Sequence, residues 1–141
     1  MFILDTDHLS LLERADSVEG SRLRARLANV PEYEVAATIV SFEEQMRGWL
    51  ARLASAKTVA QQIHNYAQLK RQLGNYRTML VLDFDDRAGI EFERLKSSRI
   101  RVGTMDMKIA AISLALGATL LTRNTRDFAK ITGLKIADWI T

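Results

Sequence analysis

Short apolar runs of β-forming residues alternate along this chain with longer stretches in which apolar residues recur every three or four positions, and that alternation restricts the possible folds most. The runs at Phe2 to Leu4, Val35 to Ile39, Met79 to Leu82, Ala118 to Leu121 and Leu134 to Ile136 are mostly apolar on successive residues, the pattern of strands buried on both faces. Ile100 to Val102 is a weaker extra candidate. Met46, Trp49, Leu50 and Leu53 follow the i, i+3, i+4, i+7 spacing of a helix, and Val59, Ala60, Ile63, Tyr66, Ala67 and Tyr76 carry a second stripe. These segments, about 41 to 54 and 56 to 77, are expected to form a helical hairpin or clamp. Ile109, Ala110, Ile112, Ser113 and Leu116 mark a further helix, closed by Gly117.

Strands separated by helices must pair in parallel through crossovers. The expected fold class is therefore α/β, a parallel sheet of about five strands flanked by helices in an α/β/α arrangement. No repeat, low-complexity tract or linker interrupts the chain, so residues 1–141 are expected to form a single domain. With 141 residues, 48% of them hydrophobic, a core needs no covalent staples.

The absence of cysteine excludes disulfides, thiolate metal sites and a cysteine nucleophile, and fits a reducing cytoplasm. The first apolar run is broken by Asp5 and lacks a basic leader, so the expectation is a soluble, unprocessed, cytoplasmic protein. No window approaches the roughly 20 apolar residues of a membrane span. The net charge of +3 and the 20 Lys+Arg, with a pI near 9.4, tilt the chain towards an anionic partner.

In open α/β sheets, ligands bind beyond the carboxyl ends of the strands. Acidic or amide residues fall at those junctions: Asp5 and Asp7 after the first strand, Ser41-Phe42-Glu43-Glu44 after the second, Asp106 at the start of a later helix, and Asn124 with Asp127 after the fourth. Each also has a capping reading. Ser41 with Glu44 matches a capping box, Asn124 with Asp127 has the same spacing, Asp7 fits a helix cap, and Asp106 complements a helix dipole. Together they would crowd one rim of the sheet, where carboxylates repel unless a proton or cation intervenes. Oxygen donors suit Mg²⁺ or Mn²⁺ rather than zinc. Of the two histidines, His8 lies near the acids and His64 reads as a surface or packing residue.

The segments ILDTDHLS at 3–10, VSFEEQMRG at 40–48, GTMDMKIAAISLALGATLLTRNTRDF at 103–128 and LKIADW at 134–139 resemble, in order, those of PIN-domain endoribonucleases, and within them the toxins of bacterial VapBC toxin–antitoxin pairs. The resemblance implies a metal-dependent endoribonuclease acting on single-stranded or loop RNA. It makes Asp5 and Asp106 direct ligands of Mg²⁺ or Mn²⁺ and brings in Glu44, four residues before Gly48, through water. The fourth acidic position falls on Asn124 or Asp127, and an asparagine there would leave a second metal site short of charge. Asp7 stands where the family often has asparagine. The likeness further implies a homodimer and a cognate VapB-type antitoxin, with Trp49, Tyr66 and Tyr76 as candidate partner contacts. Arg47, Arg52, Arg123 and Arg126 are then candidates for the RNA backbone, against solvated faces as the plain alternative.

Two other readings compete. Asp5-Thr6-Asp7-His8-Leu9 imitates the D-x-D-x-T/V of haloacid dehalogenase-type phosphatases, with Asp5 as nucleophile, but Leu9 departs from it and no later G-D-x-x-x-D follows. A non-catalytic PIN-fold binding module is the other, although the acids it would be expected to lose are present.

Overall fold

The structure, a computed structural model, describes residues 1–14 and 16–141. Strands β1 (Phe2–Leu4), β2 (Val35–Thr38), β3 (Leu80–Leu82), β4 (Thr119–Leu121) and β5 (Lys135–Ala137) make one all-parallel sheet in the order β3-β2-β1-β4-β5. The chain builds outward from central β1 to β2 and β3, then crosses back to lay β4 and β5 on the other side. Strand order thus reverses between β1 and β4, where a crevice opens at the carboxyl ends.

Successive strand residues point to opposite faces, and both faces are covered. Ile3 and Leu120 pack with Ala88 and Leu95 of α5 (Asp86–Ser97) and with Ile109 and Ile112 of α6 (Thr104–Leu116). Leu4, Ala37 and Leu121 face the other way, onto Leu9 and Leu11 of α1 (Thr6–Leu12) and Leu23 of α2 (Val18–Leu27). The α/β/α layering and the five strands agree with the alternation in the sequence.

The helical hairpin is α3 (Ile39–Ser55) followed by α4 (Val59–Arg77). Thr58 and Gln61 form a reciprocal capping box at the start of α4. A last short helix, α7 (Thr125–Phe128), follows β4. Gly117 ends α6 at φ +62, in the left-handed region.

Several local expectations are corrected. The second strand stops at Thr38 rather than Ile39, because the Thr38 hydroxyl accepts from the amide of Ser41 and opens α3 there. Ser41 and Glu44 therefore form no capping box. Ile100 to Val102 is not a strand: it leads from α5 into α6 after Arg99, which adopts φ 56, and Ile100 and Val102 pack on the core from outside the sheet. Tyr76, a candidate partner contact with core packing as its plainer reading, is buried with its ring edge-on to Phe42, so core packing holds. Among the described residues, no helix is long and apolar enough to cross a membrane.

Candidate functional site

Asp5 is the first residue beyond β1. Its amide donates to the carbonyl of Leu121 at 3.1 Å, which ties it to the end of β4 at the point of strand reversal. Its side chain also caps α1: Oδ1 accepts from the amide of His8 at 2.8 Å and stands 3.1 Å from His8 Nδ1. Asp5, not Asp7, is thus the cap. The other oxygen, Oδ2, has no hydrogen-bond partner among the described residues. His8 is fully buried, and its Nε2 has no partner. The ring therefore fixes one oxygen of Asp5 from behind.

Glu44 reaches the same crevice from the second turn of α3. The Thr6 hydroxyl donates to Glu44 Oε1 at 2.6 Å and lies 3.0 Å from Ser41 Oγ. Thr38, Ser41 and Thr6 thus form a hydroxyl chain from the end of β2 to the Glu44 carboxylate. Asp106 arrives from the first turn of α6, where the helix dipole favours an anion. Asn124, in the turn after β4, donates from Nδ2 to Asp106 Oδ2 at 3.4 Å and to Asp127 Oδ2 at 3.2 Å.

One concavity of about 440 Å³ is lined by Asp5, Thr6, Asp7, Ser10, Glu44, Asp106 and Asn124. Burial, and then the charges of Glu44 and Asp5, hold the Asp106 carboxyl above the usual carboxylate range against the opposing hydrogen bond from Asn124, while Asp127 adds to the rise. Asp127 stands behind Asn124. The Asn124 amide and then Lys130, whose Nζ is 3.2 Å away, hold Asp127 below the usual range.

Arg123, expected at an RNA backbone, is engaged by protein carboxylates: Nε meets Asp7 Oδ2 at 2.7 Å and Nη1 meets Glu19 Oε2 at 3.3 Å. Arg47 pairs with Glu43 at 2.5 Å and lines a separate, largely apolar concavity with Met46, Leu50 and Phe84, not the acidic one. Arg126 is exposed on α7. His64 is exposed on α4, as the surface reading requires.

The donors that converge are all oxygen apart from the Asn124 amide nitrogen, and the rise at Asp106 comes first from burial and then from the neighbouring acids. That chemistry fits a hard divalent cation. Among the described residues, no three acidic, histidine or cysteine side chains already stand in ligating geometry. Thr6 and the His8 contact were the parts least legible beforehand. Thr6 meets Glu44 across 38 positions of sequence, which no local spacing signals. His8 stood only as a neighbour of the acids.

The family model described as "PIN domain" matches residues 2–134. The tRNA(fMet)-specific endonuclease VapC of Salmonella typhimurium is 35% identical over 63 residues, 42% of this chain and 48% of that protein. Ribonuclease VapC1 of Rickettsia felis is 48% identical over 42 residues, 30% of this chain and 31% of that protein. The chain thus spans about half or less of the length of the curated relatives it matches. Among solved structures, a chain of DNA-bound VapBC from Salmonella typhimurium superposes with a TM-score of 0.75 at 25% identity, covering 98% of this chain and 97% of the other. With the family model running from β1 to the edge of β5 and this architecture shared end to end, the chain belongs to the PIN domain family.

Proposed function

We propose that this protein is a metal-dependent endoribonuclease that cuts single-stranded or loop RNA, and that it is the toxin of a VapBC-type toxin–antitoxin pair. The observation that carries this reading is the convergence of Asp5, Glu44 and Asp106, brought from β1, α3 and α6 to one concavity at the strand reversal. The relatives named as an endonuclease and a ribonuclease support it.

PIN-domain nucleases generally use divalent metal ions, and Mg²⁺ or Mn²⁺ matches these donors. Asp5 and Asp106 would hold the ion directly and Glu44 through water, with Asn124 or Asp127 at the outer side. Bound there, it would supply an activated water and offset charge on the scissile phosphate. The chain's own residues set the stage for that chemistry. His8 restrains Asp5 Oδ1 and leaves Oδ2 free. Thr6 keeps Glu44 turned towards the acids, and the neutral Asn124 spaces Asp106 from Asp127.

We further propose that residues 1–141 act as one PIN domain, in the cytoplasm, as a homodimer held inactive by a VapB-type antitoxin. The solved neighbour from Salmonella typhimurium is DNA-bound VapBC, which supports such a partner. A phosphatase of the haloacid dehalogenase type would need Asp7 as its second acid, yet Asp7 is held by Arg123. Expression in a bacterial host tests the toxin reading. Wild-type protein arrests growth and Asp5→Asn, made to the same level, does not; arrest that persists in the variant refutes the role of Asp5. Turnover of a generic aryl phosphate instead of RNA would favour the phosphatase.

A further inference from the structure

The acidic concavity is not closed on its α1–α3 side. A second cavity of about 400 Å³ shares Thr6, Ser10 and Glu44 with it and continues between α1, the middle of α3, and α4. Beyond that shared wall its lining is cationic on balance: Arg14, Arg52 and Arg71 stand around it beside one acid, Glu13, together with the indole of Trp49. Among the described residues none of the three is in an ion pair, unlike Arg47, Arg94 and Arg123. The Arg52 guanidinium lies 4.5 Å over the Trp49 ring, a flat cationic platform.

The inner wall is polar and built. Gln72, only 4% exposed, donates from Nε2 to Glu13 Oε2 at 2.7 Å, and its Oε1 has no partner. Gln45 donates to Glu13 Oε1 at 3.3 Å and accepts from the Tyr76 hydroxyl at 2.5 Å, so the floor is braced from three helices. No aliphatic side chain lines the cavity, whereas grooves that take an amphipathic helix are apolar. Gly48, one turn after Glu44, lines the passage, and a Cβ there would meet nothing within 4 Å, so a larger side chain has room to enter it.

We propose that this channel holds the single-stranded RNA that continues from the scissile phosphate on one side of the cut. It takes about one nucleotide at this volume, with a base on the Arg52–Trp49 platform and phosphates met by Arg52, Arg71 and Arg14. The assignment rests on the nuclease reading above. Acids at one end and three guanidiniums at the other, of which Arg71 also faces Glu13, suit a polyanion whose reacting phosphate alone is served by a divalent cation.

The test is the dependence of cleavage on substrate length, with fluorescent single-stranded oligoribonucleotides extended stepwise on either side of the cut. Wild-type kcat/KM rises about tenfold for the nucleotide that reaches the platform, on one side only. In Gly48→Leu, whose side chain fills the passage without weakening the helix, the rise is flattened; in the Arg52→Gln/Arg71→Gln double variant, which adds no bulk, it is flattened as well. Asp106→Asn loses cleavage at every length but keeps the length-dependent affinity, read by fluorescence anisotropy. A wild type that cleaves while both channel variants keep its length dependence overturns the assignment. So do channel variants that lose only affinity for a protein partner. A wild type that cleaves no RNA with Mg²⁺ or Mn²⁺ overturns the nuclease reading itself.

Discussion

At Asp106 the fold holds a carboxylate where burial and neighbouring acids oppose its charge. A group with a folded pKa above its unfolded value adds stability that is complete below the unfolded pKa and is lost as pH rises through the folded one. Ionised Asp106 therefore costs stability at neutral pH. In EDTA, Asp106→Asn should melt above the wild type at pH 7, and the gap should close as pH falls below the ordinary carboxylate range. A scan of melting temperature against pH checks this; a variant that melts lower at pH 7 contradicts it. Thr6 acts through Glu44, so Thr6→Val should lower kcat/KM about 10- to 100-fold, as loss of an orienting partner at a metal site does. It should leave the circular dichroism unchanged. Asp5 and Glu44 are legible one by one because each follows a strand into a helix, and Asp106 because it stands in the first turn of a helix. The bonds that aim them are not, since Thr6 to Glu44 and Asn124 to Asp106 join positions that only the folded sheet brings together. Arg123 is hidden for the same reason, since Asp7 lies 116 positions away, whereas the pairing of Arg47 with Glu43 is an i,i+4 helix contact that sequence spacing does carry.

Among the elements, the strands and the hairpin were readable from period alone, and their ends were not. Ile39 extends an apolar run, yet the Thr38 side chain satisfies the Ser41 amide, so the strand ends one residue earlier and the helix opens at Ile39. Ile100 and Val102 have strand character, but β3 and β5 already form the edges of the sheet, and the two residues serve the core instead. The end of α6 was clear because glycine tolerates the left-handed turn that its C-cap needs. Gly117→Ala meets no atom within 4 Å, so its cost is backbone strain alone. It should destabilise the protein by about 1 kcal/mol and lower the melting temperature by about 3 °C, measurable by calorimetry. No change in melting would mean that α6 closes by another route.

For the molecule as a whole, the order β3-β2-β1-β4-β5 turns residues scattered from Asp5 to Asn124 into one acidic crevice. The sheet could be anticipated from alternation, and the crevice from the rule that ligands sit at the carboxyl ends. The polar channel beside it could not, because Arg14 just past α1, Arg52 on α3 and Arg71 on α4 are brought together by packing that leaves no trace in sequence spacing. The central claim is that the crevice cleaves RNA when a divalent cation is present. The most direct measurement is incubation of purified protein with total cellular RNA in Mg²⁺, Mn²⁺ or EDTA, with fragments resolved by sequencing gel. Discrete cuts should form in Mg²⁺ or Mn²⁺, vanish in EDTA, return when the metal is restored, and fall at least about 100-fold in Asp106→Asn. RNA left intact in every condition, or cut equally well in EDTA, would contradict the account.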